Sequence, residues 1–110
     1  MPDLAVSVDI EKHHTVVHVR GEIDLATADL LEAMLDQALI AGARWVEADL
    51  TRVPFMDCSG LGVLIGAKQR LQQSGGTLTL SGLGPAVQRL LWAAGLDHRL
   101  DTTRASAHGR

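Results

Sequence analysis

The feature that most restricts how this chain can fold is a repeated switch between two hydrophobic periods. Val17 and Val19 alternate with His18 and Arg20; Val46, Ala48 and Leu50 alternate with Glu47 and Asp49; Leu78 and Leu80 lie between Thr77, Thr79 and Ser81. A period of two is the mark of a strand with one buried and one wet face. After each of these runs the apolar residues return at helical spacing. Leu31, Met34, Leu35, Ala38 and Leu39 do so within 27–41, Leu61, Leu64, Ile65 and Leu71 within about 59–74, and Val87, Leu90, Leu91 and Ala94 after Pro85. Thr27 or Asp24 can cap the first of these helices and Ser59 the second, while Pro85 suits the first position of the third. Gly42, Gly75-Gly76 and Gly95 suit their ends.

An earlier alternating run, Val6, Val8 and Ile10, is joined to the strand of Val17 through the polar group Glu11-Lys12-His13-His14, which predicts a hairpin. Residues 99–102 suggest a short last strand. The predicted order is β-β-α-β-α-β-α-β. Strand–helix–strand alternation calls for right-handed crossovers and a largely parallel sheet. Clean alternation, rather than continuous apolar runs, leaves one sheet face less covered. The fold class is therefore α/β: one small, mostly parallel sheet with an N-terminal hairpin and helices mainly on one face. With 110 residues the chain is one domain, assigned to 1–102, and the polar stretch 103–110 is expected to fray.

Composition removes several classes of function. Ten basic against thirteen acidic residues leave a net charge of −3, the wrong sign for a nucleic-acid module. Phe55, Trp45 and Trp92 are the whole aromatic complement, too few for a base-stacking platform. No apolar run approaches the roughly 20 residues of a membrane span. Met1-Pro2-Asp3-Leu4 lacks the features of a signal peptide, and the single Cys58 cannot form an internal disulfide, so a cytoplasmic protein is expected.

The chemistry is concentrated in Asp49-Leu50-Thr51-Arg52-Val53-Pro54-Phe55-Met56-Asp57-Cys58-Ser59-Gly60-Leu61-Gly62, where a loop becomes a helix. The first N–H groups of a helix lack internal partners and lie at the positive end of its dipole, which suits an anion or phosphoryl group. Gly60 and Gly62 would let another chain approach the backbone closely. Each residue also has a plainer reading: Ser59 as an N-cap, Gly62 and Gly66 as packing glycines on one helix face, Cys58 as a small buried hydrophobe. Gly60-Leu61-Gly62 with Gly66 is too far from the strand ending near Leu50 to be a dinucleotide fingerprint, and Gln69 after Lys68 rules out a P-loop. His13, His14 and His18 have no carboxylate or cysteine at ligand spacing, so no metal and no cofactor are expected.

Three blocks resemble the STAS domain of bacterial anti-sigma-factor antagonists. They are Gly21-Glu22-Ile23-Asp24 with Thr27-Ala28, the segment from Asp49-Leu50 through Phe55 to Gly62, and Pro85-Ala86-Val87-Gln88-Arg89-Leu90-Leu91 with Gly95-Leu96. They stand in the family's order and cover the chain from Val16 to Leu100. The resemblance implies the same small sheet, and a protein that binds an anti-sigma factor with GHKL-type serine kinase activity, so releasing a sigma factor. It is a binding function without catalysis, and it involves neither nucleic acid nor membrane. The implied contact residues are Asp24, Asp57, Ser59, Gly60 and Gly62. In the family, phosphorylation of a serine at the start of the second helix abolishes binding; here Cys58 occupies that position, with Ser59 next to it. Many members carry a further C-terminal amphipathic helix, where a polar tail is expected here. The alternatives are a STAS subunit of a transporter ATPase or stress-signalling complex, and a redox sensor or enzyme built on Cys58. If Ser59 is the cap, its oxygen is engaged by a backbone N–H, and poor phosphorylation of Ser59 is expected.

Overall fold

The computed structural model describes residues 4–11, 14–95 and 101–103, the last segment as backbone. The elements are β1 (Leu4–Glu11), β2 (His14–Gly21), α1 (Ala28–Ile40), β3 (Trp45–Arg52), α2 (Cys58–Gln73), β4 (Thr77–Ser81), α3 (Pro85–Ala93) and β5 (Asp101–Thr103). All five strands form one sheet in the order β1-β2-β3-β4-β5. The β1–β2 pair is antiparallel, with Val8 opposite Val17 and Ser7 opposite His18, and every later pair is parallel. A strand order that never reverses, with right-handed crossovers, keeps all the connecting helices on one side.

Burial follows the predicted periods. Val17, Val19, Val46, Ala48, Leu50, Leu78 and Leu80 are closed off beneath the helices, which contribute Leu31 and Leu35 from α1, Leu61, Leu64 and Leu71 from α2, and Val87 and Leu91 from α3. Burying one such side chain contributes about 1.5–3 kcal/mol, so this layer dominates the stability. Arg70 of α2 reaches Asp36 of α1 at 2.8 Å across the outer surface of the helix pair. The other sheet face stays wet and carries His14, His18, Glu47, Asp49 and Thr79 at intermediate exposure.

Boundaries moved slightly. Thr103, assigned to the tail, is the last residue of β5 and pairs with Ser81. Residues 104–110, His13 and Lys12 lie outside the described set. Gly42 and Gly95 take positive φ, +87° and +70°, as expected of residues just past a helix end.

Candidate functional site

Two loops meet at the carboxyl ends of β2 and β3. The Ile23 N–H donates to the Phe55 carbonyl at 3.1 Å, and the Asp57 N–H donates to the Ile23 carbonyl at 3.0 Å. This isolated parallel bridge between Ile23 and Met56 zips segment 21–27 to segment 53–57, with both side chains buried. Asp24 is thereby brought beside the start of α2, the neighbourhood the sequence motif implied.

Asp57, not Ser59, caps α2. Asp57 has extended backbone (φ −104°, ψ −171°), and its Oδ1 accepts the Ser59 N–H at 2.8 Å. Either residue is a good cap by type. The choice falls to Asp57 because its own N–H is bound to Ile23, which holds it outside the helix. Cys58 is then the first helical residue and Ser59 the second, and among the described residues no hydrogen bond occupies the Ser59 hydroxyl. The expectation that the cap would tie up this hydroxyl is therefore overturned. Cys58 is exposed, which excludes the buried-hydrophobe reading, whereas Ser59 is half-buried.

The two glycines separate. A Cβ on Gly60 would lie 2.4 Å from Met56 Cγ and 2.8 Å from Ile23 Cγ2, so Gly60 is buried because α2 rests on the bridge between the loops. Gly60 is a packing residue in this structure. Gly62 is exposed, and a Cβ there meets nothing within 4 Å. The packing reading of Gly62 does not hold.

Asp24 is partly buried and organises its own turn. Its Oδ1 accepts the N–H groups of Ala26 (2.9 Å) and Thr27 (3.1 Å). The Thr27 hydroxyl accepts the Asp24 N–H and donates to the Glu22 carbonyl, each at 2.9 Å. Thr27 stands at the N-cap position of α1 without capping it through its side chain. Around the site, Leu25 (81 %) and Phe55 (46 %) are exposed, an apolar rim to a polar centre.

Sequence reasoning passed over the open sheet face. His18 sits directly opposite Asp49, and its Nδ1–H donates to Asp49 Oδ2 at 2.8 Å. Its Nε2–H donates to Asp9 Oδ2 at 2.9 Å, so one imidazole spans from β3 across β2 to β1. Ionised carboxylates only accept, so this geometry belongs to the imidazolium, with a proton on each nitrogen. The hydrogen bonds that His18 donates to Asp49 and then to Asp9 outweigh desolvation and raise its pKa. Burial pushes the Asp49 carboxyl up, but hydrogen bonds from the Thr51 hydroxyl and N–H, with His18, leave it below its ordinary value. His14 stacks on Trp45 with centroids 3.8 Å apart and reaches Glu47 at 2.9 Å. The hairpin register could have shown His18 and Asp9 on one face; the Asp49 pairing had no local signal. No group of three or more potential ligands fit to hold a metal occurs among the described residues. Nor, among them, is any helix long and apolar enough to cross a membrane.

The architecture is a one-sided α/β sheet whose strand-end loops are zipped beneath an exposed helix start. The STAS domain pattern matches residues 5–108, and the chain belongs to the STAS domain family. It is 34 % identical over 94 residues to the anti-sigma F factor antagonist of Paenibacillus polymyxa, covering 83 % of this chain and 80 % of the relative. It is 31 % identical over 106 residues to the anti-sigma-B factor antagonist of Bacillus subtilis (strain 168), covering 94 % and 96 %. Among solved structures, an anti-sigma factor antagonist from Mycobacterium paratuberculosis superposes with a TM-score of 0.83 at 28 % identity, over 91 % of this chain and 85 % of that one. Unphosphorylated SpoIIAA shares the fold, with a TM-score of 0.78 at 23 % identity over 94 % and 91 %.

Proposed function

We propose that this chain is an anti-sigma-factor antagonist: it binds an anti-sigma factor through the first turn of α2 and the loops around Asp24 and Asp57, and thereby frees a sigma factor. The names of its relatives support the class of function. The observation that carries the surface is Gly62. A glycine inside a helix costs about 0.5–1 kcal/mol relative to alanine, and among the described residues no atom lies within 4 Å of where a Cβ would stand to require one here. A bare, exposed helix face beside Cys58 and Ser59, rimmed by Leu25 and Phe55, suits close approach of a partner's backbone.

The partner we infer is an anti-sigma factor with GHKL-type serine kinase activity, met in the cytoplasm. The chain acts by binding and catalyses nothing itself. Cys58 stands where the resemblance puts the acceptor serine, and a thiol is not a serine kinase substrate. The ordinary off switch is then missing at that position, and the antagonist is constitutively competent.

Isothermal titration against the cognate anti-sigma factor tests the reading. Gly62→Arg should abolish binding while leaving the thermal unfolding midpoint nearly unchanged. Parallel loss of fold and binding would return Gly62 to a packing role. Stable capture of a transporter ATPase, with no affinity for any anti-sigma factor, would overturn the function.

A further inference from the structure

The paired strands β2 and β3 slip out of register just beyond the His18–Asp49 pair. The next partners are Arg20 and Arg52, so β3 spends one extra residue where β2 does not. Without that residue, alternation would send Arg52 to the helix side with Leu50. The bulge instead brings it opposite Arg20, and bulges are a common device for re-aiming a side chain next to a functional site. Asp49 holds the bulge, its Oδ1 accepting both the N–H and the hydroxyl of Thr51.

The outcome is unfavourable unless something compensates it. Like charges directly opposite on neighbouring strands destabilise a sheet. Both arginines are exposed, and among the described residues neither has a carboxylate partner. Together with Ser7, His18, Asp49, Ala5, Val6 and Val19 they line a concavity of about 350 Å³ on the open sheet face. Asp49 is the only carboxylate in that lining, and its oxygens are engaged by Thr51 and His18. Two guanidinium groups and the imidazolium outweigh it even when Asp9, the other carboxylate bonded to His18, is counted. A net positive hollow has thus been set in a chain whose overall charge is −3.

We propose that this hollow binds the phosphate group of a small soluble molecule, held by Arg20 and Arg52 with the Ser7 hydroxyl beside them. Guanidinium forks match phosphate oxygens in a bidentate way, and the volume falls at the small end of ligand pockets. The site is separate from the Cys58 surface, but Arg20 and Arg52 lead directly into the two loops that form it.

The test uses the full chain, with inorganic phosphate and pyrophosphate as probes at constant ionic strength. Backbone amide shifts of Ser7, Arg20 and Arg52 should move saturably, and the unfolding midpoint should rise with probe concentration. Arg20→Gln and Arg52→Gln should each weaken binding about tenfold, the loss expected for one charge-assisted contact, while Arg89→Gln on α3 changes nothing. Without phosphate, the two Gln variants should be at least as stable as the parent, because a like-charge pair is gone; with phosphate, the parent should overtake them. Non-saturating shifts, an equal response to chloride, or retained binding in the Arg20→Gln/Arg52→Gln double variant would overturn the proposal. So would citrate binding as tightly as pyrophosphate, which would make the hollow a carboxylate site.

Discussion

Gly60 and Gly62 are two residues apart on α2, and alanine at each should change stability in opposite directions. At Gly60 the new methyl would sit 2.4 Å from Met56 Cγ, 2.6 Å from Met56 Sδ and 2.8 Å from Ile23 Cγ2. Met56 is flexible in principle, but it is 3 % exposed and closed in by the core; Ile23, at 0 %, is branched at Cβ and stiff. Overpacking a well-filled site costs about 1–3 kcal/mol, and replacing glycine in a helix returns about 0.5–1 kcal/mol. With three atoms closer than 3.0 Å the overpacking cost lies in the upper half of its range, about 2–3 kcal/mol, so Gly60→Ala should lose about 1–2.5 kcal/mol. Gly62→Ala meets no atom and should gain about 0.5–1 kcal/mol. Urea unfolding followed by far-UV circular dichroism reads both, at unchanged m-value. In a thermal scan each kcal/mol moves the midpoint by roughly 4–8 °C in a domain near this size. A Gly60→Ala variant as stable as the parent would refute the reasoning, since it would mean that the Ile23–Met56 bridge yields freely and does not seat the helix.

The remaining expectations concern charge, cap and thiol. The raised pKa of His18 means that its stabilising contribution is complete below the ordinary imidazole value and is lost as pH rises through the folded value. Urea midpoints should fall across that alkaline limb, and His18→Asn should flatten it; an unchanged slope would show that the Asp9 and Asp49 contacts add nothing. On the acid side the lowered Asp49 pKa works in the opposite sense, its contribution being present above the ordinary carboxylate value and lost as pH falls through the folded one. Asp57→Ala should cost about 1 kcal/mol as a lost N-cap, whereas Ser59→Ala should change stability by less than half of that; the reverse ranking would restore Ser59 as the cap. Incubated with ATP and the anti-sigma kinase proposed above, Cys58→Ser should take up one phosphate quickly. The parent should take up little, because the half-buried Ser59 points about 100° away around the helix from the exposed position 58. Rapid stoichiometric phosphorylation of Ser59 in intact-mass analysis would contradict this.

What the sequence determined by itself is what local rules control. The order of elements follows from the change of period at Val17–Val19, Val46–Leu50 and Leu78–Leu80, and the helix ends follow from Gly42, Pro85 and Gly95. The resemblance in 49–62 was legible for the same reason: its residues are contiguous. Other features depended on groups brought together from distant parts of the chain. Asp57 prevailed over Ser59 as the cap through a hydrogen bond to Ile23, and Gly60 parted from Gly62 because Met56 and Ile23 lie beneath only one of them. His18 gained a partner 31 residues away, and Arg52 came to face Arg20 through one extra residue in β3. Strand register is set by the packing of the whole buried face, and a shift of a single residue exchanges the two faces. No local pattern on the wet side of the sheet carries that information, so only the tertiary structure could decide which charges meet there.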